Sequence, residues 1–194
     1  MLPRFVAALI VAAVTLAACG DGDGGDGAAL TDPAATQPPP KAAASGKDVP
    51  AALRANVSDA DTLSGEGKDG LQQRLAKLRG HPVVVNQWAS WCPPCREEFP
   101  YFADAVAEHG DEVAFVGLDF TDDRDAANRL LKEIPPGFAS IFDPKGDATR
   151  SLGGGRVSPS TFFIAPDGKI EYSKLGGYAD AEALDADIRR YALG

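Results

Sequence analysis

Cys92 and Cys95 are separated by Pro93-Pro94, directly after the apolar run Val83-Val84-Val85-Asn86-Gln87-Trp88. Two cysteines at this spacing can open and close a disulfide. On a helix, residues three apart share a face with Cβ atoms about 5–6 Å apart, so the sulfurs meet with modest adjustment. A cysteine at a helix N-terminus also meets unpaired N–H groups and the positive dipole end, which favour thiolate. The thiolate is the species that attacks a disulfide. A zinc site needs a second ligand pair. The chain has three cysteines in all, and neither His81 nor His109 stands at a usual finger spacing. A purely structural bridge across so short a loop stabilises little.

The flanking segments say what holds the pair. Val83 to Trp88 is apolar and β-branched, as suits a strand buried on both faces. A helix follows the cysteines, runs through Pro100, which should kink it, and ends at Gly110. Leu71, Leu75 and Leu78 predict a short helix near 69–79, ending at Gly80. Val113 to Phe120 reads as a second buried strand, and Asp122 to Lys132 as a polar helix broken by Pro135-Pro136-Gly137. Phe138 to Phe142 is a short strand, and Gly153-Gly154-Gly155 is loop. Ser160 to Ile164 and Lys169 to Leu175, joined at Pro166-Asp167-Gly168, form an antiparallel hairpin. Asp180 to Ala192 closes the chain as a helix. Strand and helix alternate early, which implies parallel pairing through right-handed crossovers. The expected fold is an α/β mixed sheet with helices on both faces.

The N-terminus speaks to compartment. Arg4 precedes an uncharged run from Phe5 to Ala18. It is shorter than the roughly 20 residues a membrane span needs and suits a signal-peptide core. Leu16-Ala17-Ala18-Cys19-Gly20 resembles a bacterial lipoprotein signal. That resemblance implies cleavage before Cys19 and lipid on its sulfur, leaving Cys92 and Cys95 as the pair. Residues 1–18 are then signal peptide, 19–50 a lipidated cysteine and disordered tether, and 51–194 one domain with its own core. With 28 acidic against 19 basic side chains the net charge is −9, and no Lys/Arg cluster interrupts the mature chain. Nucleic acid is not an expected partner.

The order of elements, with Trp91-Cys92-Pro93-Pro94-Cys95 after the first buried strand, resembles the thioredoxin fold. More narrowly it is similar to the membrane-anchored, extracytoplasmic TlpA/ResA-like thioredoxins. The segments Val83 to Cys95, Arg96-Glu97-Glu98-Phe99-Pro100, and Val157-Ser158-Pro159-Ser160-Thr161-Phe162-Phe163-Ile164 carry the match, as does an extra helix between the second strand and the proline loop. Residues 50 to 79 match poorly, and Gln87 stands where the family usually has Phe.

The resemblance implies roles. Cys92 is the attacking thiol and the more exposed; Cys95 is the resolving thiol. Pro159 is a cis proline facing the disulfide, and Ser158 before it offers backbone groups to an extended substrate. Trp91 and Pro93 contribute to the partner surface. Glu98 shares a helix face with Cys95 and accepts its proton, while Asn86 occupies the place where soluble thioredoxins bury an acid. The implied activity is extracytoplasmic thiol–disulfide exchange without a bound cofactor. Implied partners are protein dithiols or disulfides, apocytochrome c being the family's usual substrate class, and a membrane electron-transfer protein that re-reduces the pair. Two rival chemistries use the same sulfurs. A copper module would normally recruit Met or His as well, and a peroxidase would carry a lone peroxidatic thiol.

Overall fold

The computed structural model describes residues 49–194. The elements in order are α1 (Ala51–Ser58), β1 (Leu63–Glu66), α2 (Gly67–Lys77), β2 (Val83–Trp88), α3 (Pro93–His109), β3 (Ala114–Phe120), α4 (Arg124–Glu133), β4 (Ala139–Asp143), α5 (Asp147–Ser151), β5 (Ser160–Ile164), β6 (Ile170–Leu175) and α6 (Ala181–Tyr191). Cys19, the signal and nearly all of the expected tether lie outside the described residues. Among the described residues no helix is long and apolar enough to cross a membrane.

The six strands form one sheet in the order β1-β4-β3-β2-β5-β6. β2 pairs parallel with β3, β3 with β4, and β4 with β1. β5 runs antiparallel to β2 and to β6. β2 is therefore central, and all six of its residues are buried. That is why it reads as an unbroken apolar run rather than an alternating one.

Two cores result. Side chains of α3, α4 and α6 pack on one face of the sheet around Trp88, Phe99, Phe102 and Phe138. Leu53 of α1, Leu71 of α2 and Ala148 of α5 pack on the other around Val83, Val85, Val116 and Phe162. In the first core Trp88 meets Phe99 edge-on at 5.2 Å, and Phe102 meets Phe138 at 5.7 Å. Gly117 makes room for this layer. A Cβ there would run into Ser140, the Trp88 indole and the Phe138 ring. In the space left, Trp88 Nε1 donates to Ser140 Oγ at 3.1 Å.

The expected elements are present, with ends displaced by at most two residues and with β2 and β5 at their expected bounds. α3 continues through Pro100 as one helix. The sequence reading passed over three short elements. α1 buries only Leu53 and Asn56, β1 is a four-residue edge strand, and α5 is five residues long. None is long enough to display a period.

Candidate active site

The pair sits where β2 ends and α3 begins. Cys92 is the N-cap of α3, with extended backbone, and Pro93 takes the first helical position. Proline suits that place, because its missing N–H would have had no partner in the helix. The first remaining donor, Cys95 N–H, is directed to the carbonyl of Cys92 at 3.1 Å. A disulfide joins Cys92 to Cys95, with 5.4 Å between Cα atoms. Both cysteines are buried; the expected contrast survives only as 3% exposure for Cys92 against 0% for Cys95.

Neighbouring loops brace this corner. Ser90 donates through its backbone N–H and its hydroxyl to Asp122, the hydroxyl contact being 2.7 Å. Trp91 is 55% exposed, and its Nε1 donates to the carbonyl of Thr121 at 3.3 Å. Pro93 and Pro94 are exposed beside it. The Ser158–Pro159 peptide bond is cis. Pro159 is buried and Ser158 half-buried.

Glu98 is buried, one turn beyond Cys95 on α3. Its Oε1 accepts from Asn86 Nδ2 at 2.7 Å, and its Oε2 from the backbone N–H of Tyr178 at 3.2 Å. Burial pushes its carboxyl up to about 7; the two hydrogen bonds and the Lys174 charge oppose the rise without cancelling it. Such a group can take up or release a proton near neutrality. A Cβ on Gly177 would lie 3.5 Å from Pro159 Cγ, 3.6 Å from Glu98 Oε2 and 3.8 Å from Pro94 Cβ. The carboxylate, the cis proline and the dipeptide between the cysteines thus converge on one point. Lys174 Nζ lies 4.9 Å from the Tyr178 ring centroid, and Tyr178 Oη donates to Asp187 at 3.0 Å.

The structure therefore gathers Trp91, Cys92, Pro93, Cys95, Glu98, Ser158 and Pro159 at one end of the sheet; Cys19 is not among the described residues. Sequence reasoning missed Asp122, Tyr178 and the role of Gly177 in this gathering, because each reaches the site from a distant segment. It also missed Asp119, a fully buried carboxyl at the end of β3 with no hydrogen-bond partner on either oxygen among the described residues. Burial, helped by the nearby Asp122 charge, pushes Asp119 up to about 9.

The geometry has counterparts among known proteins. A Redoxin family profile matches residues 44–188. This chain belongs to the Redoxin family. It is 36% identical over 100 residues to the thiol:disulfide interchange protein DsbE of Vibrio cholerae, covering 51% of this chain and 52% of that one. It is 36% identical over 101 residues to the thiol-disulfide oxidoreductase ResA of Oceanobacillus iheyensis, covering 50% and 51%. The chain spans about half the length of these curated relatives. A crystal structure from Chlorobium tepidum, described as a putative thiol:disulfide interchange protein DsbE, superposes with a TM-score of 0.56 at 33% identity, covering 62% of this chain and 85% of that one. The fold of this Redoxin-family chain is the thioredoxin fold.

Proposed function

We propose that this chain is a thiol–disulfide oxidoreductase that works outside the cytoplasmic membrane, held there by lipid on Cys19. The observation that carries the reading is the Cys92–Cys95 disulfide at a helix N-terminus, with buried Glu98 and cis Pro159 at the same corner. The names of its relatives support it.

The cycle balances as follows. In the reduced form, the Cys92 thiolate attacks one sulfur of a partner disulfide. A mixed disulfide forms and the partner's other sulfur leaves as thiolate. Cys95 loses its proton to the Glu98 carboxylate and attacks Cys92 Sγ. The Cys92–Cys95 bond closes, the partner leaves as a dithiol after taking up protons, and this chain has given up two electrons. A reduced protein dithiol restores the pair by the reverse exchange. No bound cofactor enters these steps. The membrane electron-transfer protein and apocytochrome c implied by the resemblance fit the two ends of the cycle.

The direction proposed is reduction of the partner. Pro93 and Pro94 have no N–H to offer a Cys92 thiolate, and the Cys95 N–H is already directed to the Cys92 carbonyl. Weak stabilisation of thiolate disfavours a strongly oxidising pair. Equilibration of the pair with thiol redox buffers tests this. A midpoint near the about −270 mV of thioredoxin supports a reductase, and one near about −120 mV reverses the direction. A pair that never equilibrates removes the oxidoreductase reading. Binding of copper(I) by the reduced pair at the expense of exchange would favour the metal module.

A further inference from the structure

Gln87 is polar and 0% exposed, and no step of the exchange uses it. Successive strand residues point to opposite faces. Asn86 therefore reaches Glu98 on one face of the sheet, while Gln87 reaches a different segment on the other. There its amide commits both donors and its oxygen to one loop. Oε1 accepts from the Gly155 N–H at 3.0 Å. Nε2 donates to the Val157 carbonyl at 3.2 Å and to Ser158 Oγ at 2.6 Å. These three residues lead directly into the cis bond before Pro159.

Gly153 to Ser158 carries neither helix nor strand, so no ladder places it. Gly154 permits the approach: a Cβ there would lie 2.8 Å from Gln87 Oε1 and 2.7 Å from the Phe162 ring. The loop asks one side chain for one acceptor and two donors. A primary amide supplies that set; a carboxylate lacks the donors and a thioether lacks nearly all of it.

We propose that Gln87 is a positioning residue for substrate: it holds the Gly155–Ser158 loop where the Ser158 backbone can pair with an extended peptide, and so sets affinity for peptide disulfides. The proposal rests on the oxidoreductase reading above. Gln87 acts through the loop and leaves the sulfurs untouched. A small disulfide that needs only Cys92 should therefore be indifferent to it.

The test compares two oxidants of the reduced, intact chain. One is a synthetic peptide closed by a Cys-x-x-Cys disulfide; the other is the small aromatic disulfide dithiobis-nitrobenzoate. Gln87→Met keeps length and removes the amide. It should raise KM for the peptide about tenfold, the scale of one or two lost hydrogen bonds. Peptide kcat, the rate with the aromatic disulfide and the reduction potential should stay unchanged, and the Gly155 amide should exchange faster. Ser158→Ala removes one partner from the loop side without opening the core. It should raise peptide KM about threefold. An unchanged peptide KM in a folded Gln87→Met overturns the proposal, and so does an equal slowing with both oxidants, which marks general damage. If Gln87→Met does not fold, an unchanged KM in Ser158→Ala overturns it. Failure of the unsubstituted chain to react with either oxidant removes the oxidoreductase reading itself, and is seen before any variant is made.

Discussion

Asn86 Nδ2 donates to Glu98 Oε1 across 2.7 Å, between two side chains that are almost wholly buried. The other end of the Asn86 amide, Oδ1, has no partner among the described residues. The amide can thus serve either form of the acid. It donates to the carboxylate as seen, and, turned over, it accepts from the protonated acid. A carboxyl held this way keeps a hydrogen bond to Asn86 in either protonation state.

Stability should fall as pH rises through the neutral range. Glu98 moves from 4.5 to about 7 on folding, because burial disfavours its charged form. Between those values the folded chain holds a proton that the unfolded chain has shed, so stability declines with pH. It is complete below about pH 4.5 and has lost about 3 kcal/mol by pH 8 from this group alone. Asp119, raised from 3.8 to about 9 for the same reason, acts in the same direction over a wider window. Urea unfolding of the oxidised protein at pH 4.5 and pH 8 measures the slope. Glu98→Gln should flatten part of it, and an identical slope in the variant would show that Glu98 ionises normally.

Glu98→Gln should also slow exchange with the partner. The variant keeps the shape, and with Asn86 turned over it keeps both hydrogen bonds, but it cannot take the Cys95 proton. Turnover should drop by roughly 10²- to 10⁴-fold, the range for a lost general base, or less where water substitutes. Losing a nearby negative charge should move the curve of thiol alkylation rate against pH to lower pH. Unchanged turnover with superimposable alkylation curves would assign Glu98 no part in the proton transfer.

The order of attack can be read by trapping. Cys95→Ala leaves Cys92 to form a mixed disulfide that nothing resolves, so it should accumulate a covalent adduct with a peptide disulfide. Cys92→Ala keeps only the more buried sulfur and should accumulate little. Non-reducing electrophoresis compares the two, and equal adduct in both would reverse or dissolve the assignment.

Gly117→Ala tests the packing beneath the site. Its methyl would meet Ser140, Trp88 and Phe138 at once, two of them large and fully buried. Overpacking of this kind typically costs about 1–3 kcal/mol, and loss of the Trp88–Ser140 hydrogen bond adds to it. Denaturant midpoints of wild type and variant give the difference. A midpoint within error of wild type would mean that the layer has slack the structure does not suggest.

Cys19→Ala should release the protein from the membrane fraction or leave its signal uncut, as expected if lipid on that sulfur is the anchor. A processed variant that still sediments with membrane would require another anchor.

Much of this site was legible because its parts are close in the chain. The spacing of Cys92, Cys95 and Glu98 on one helix follows from 3.6 residues per turn, and β2 from an unbroken apolar run. Pro159 was found through the motif around it, since a Ser-Pro pair in a loop says little about its peptide isomer. Gln87 stood in plain view as a polar residue in an apolar strand. Its use was not legible, because its partners lie 68 to 71 residues away. The elements α1, β1 and α5 were missed for a different reason: each is short and owes its form to packing on its neighbours rather than to its own periodicity.

Residue types and local spacing were enough to specify a redox pair at a strand-to-helix junction, an alternating α/β order, and an acid one turn from the second cysteine. These depend on backbone geometry that repeats within a few residues. The burial of Glu98 did not follow from spacing. It needed Tyr178, 80 residues on, to bring a backbone N–H to its carboxylate, and β2 to bring Asn86 beneath it. Nor did the division of labour between Asn86 and Gln87, two adjacent amides sent to opposite faces of a central strand. The sheet order that surrounds β2 turned two neighbouring letters into a support for the acid and a support for the proline loop, because burial and pairing are properties of segments distant in the chain and near in space.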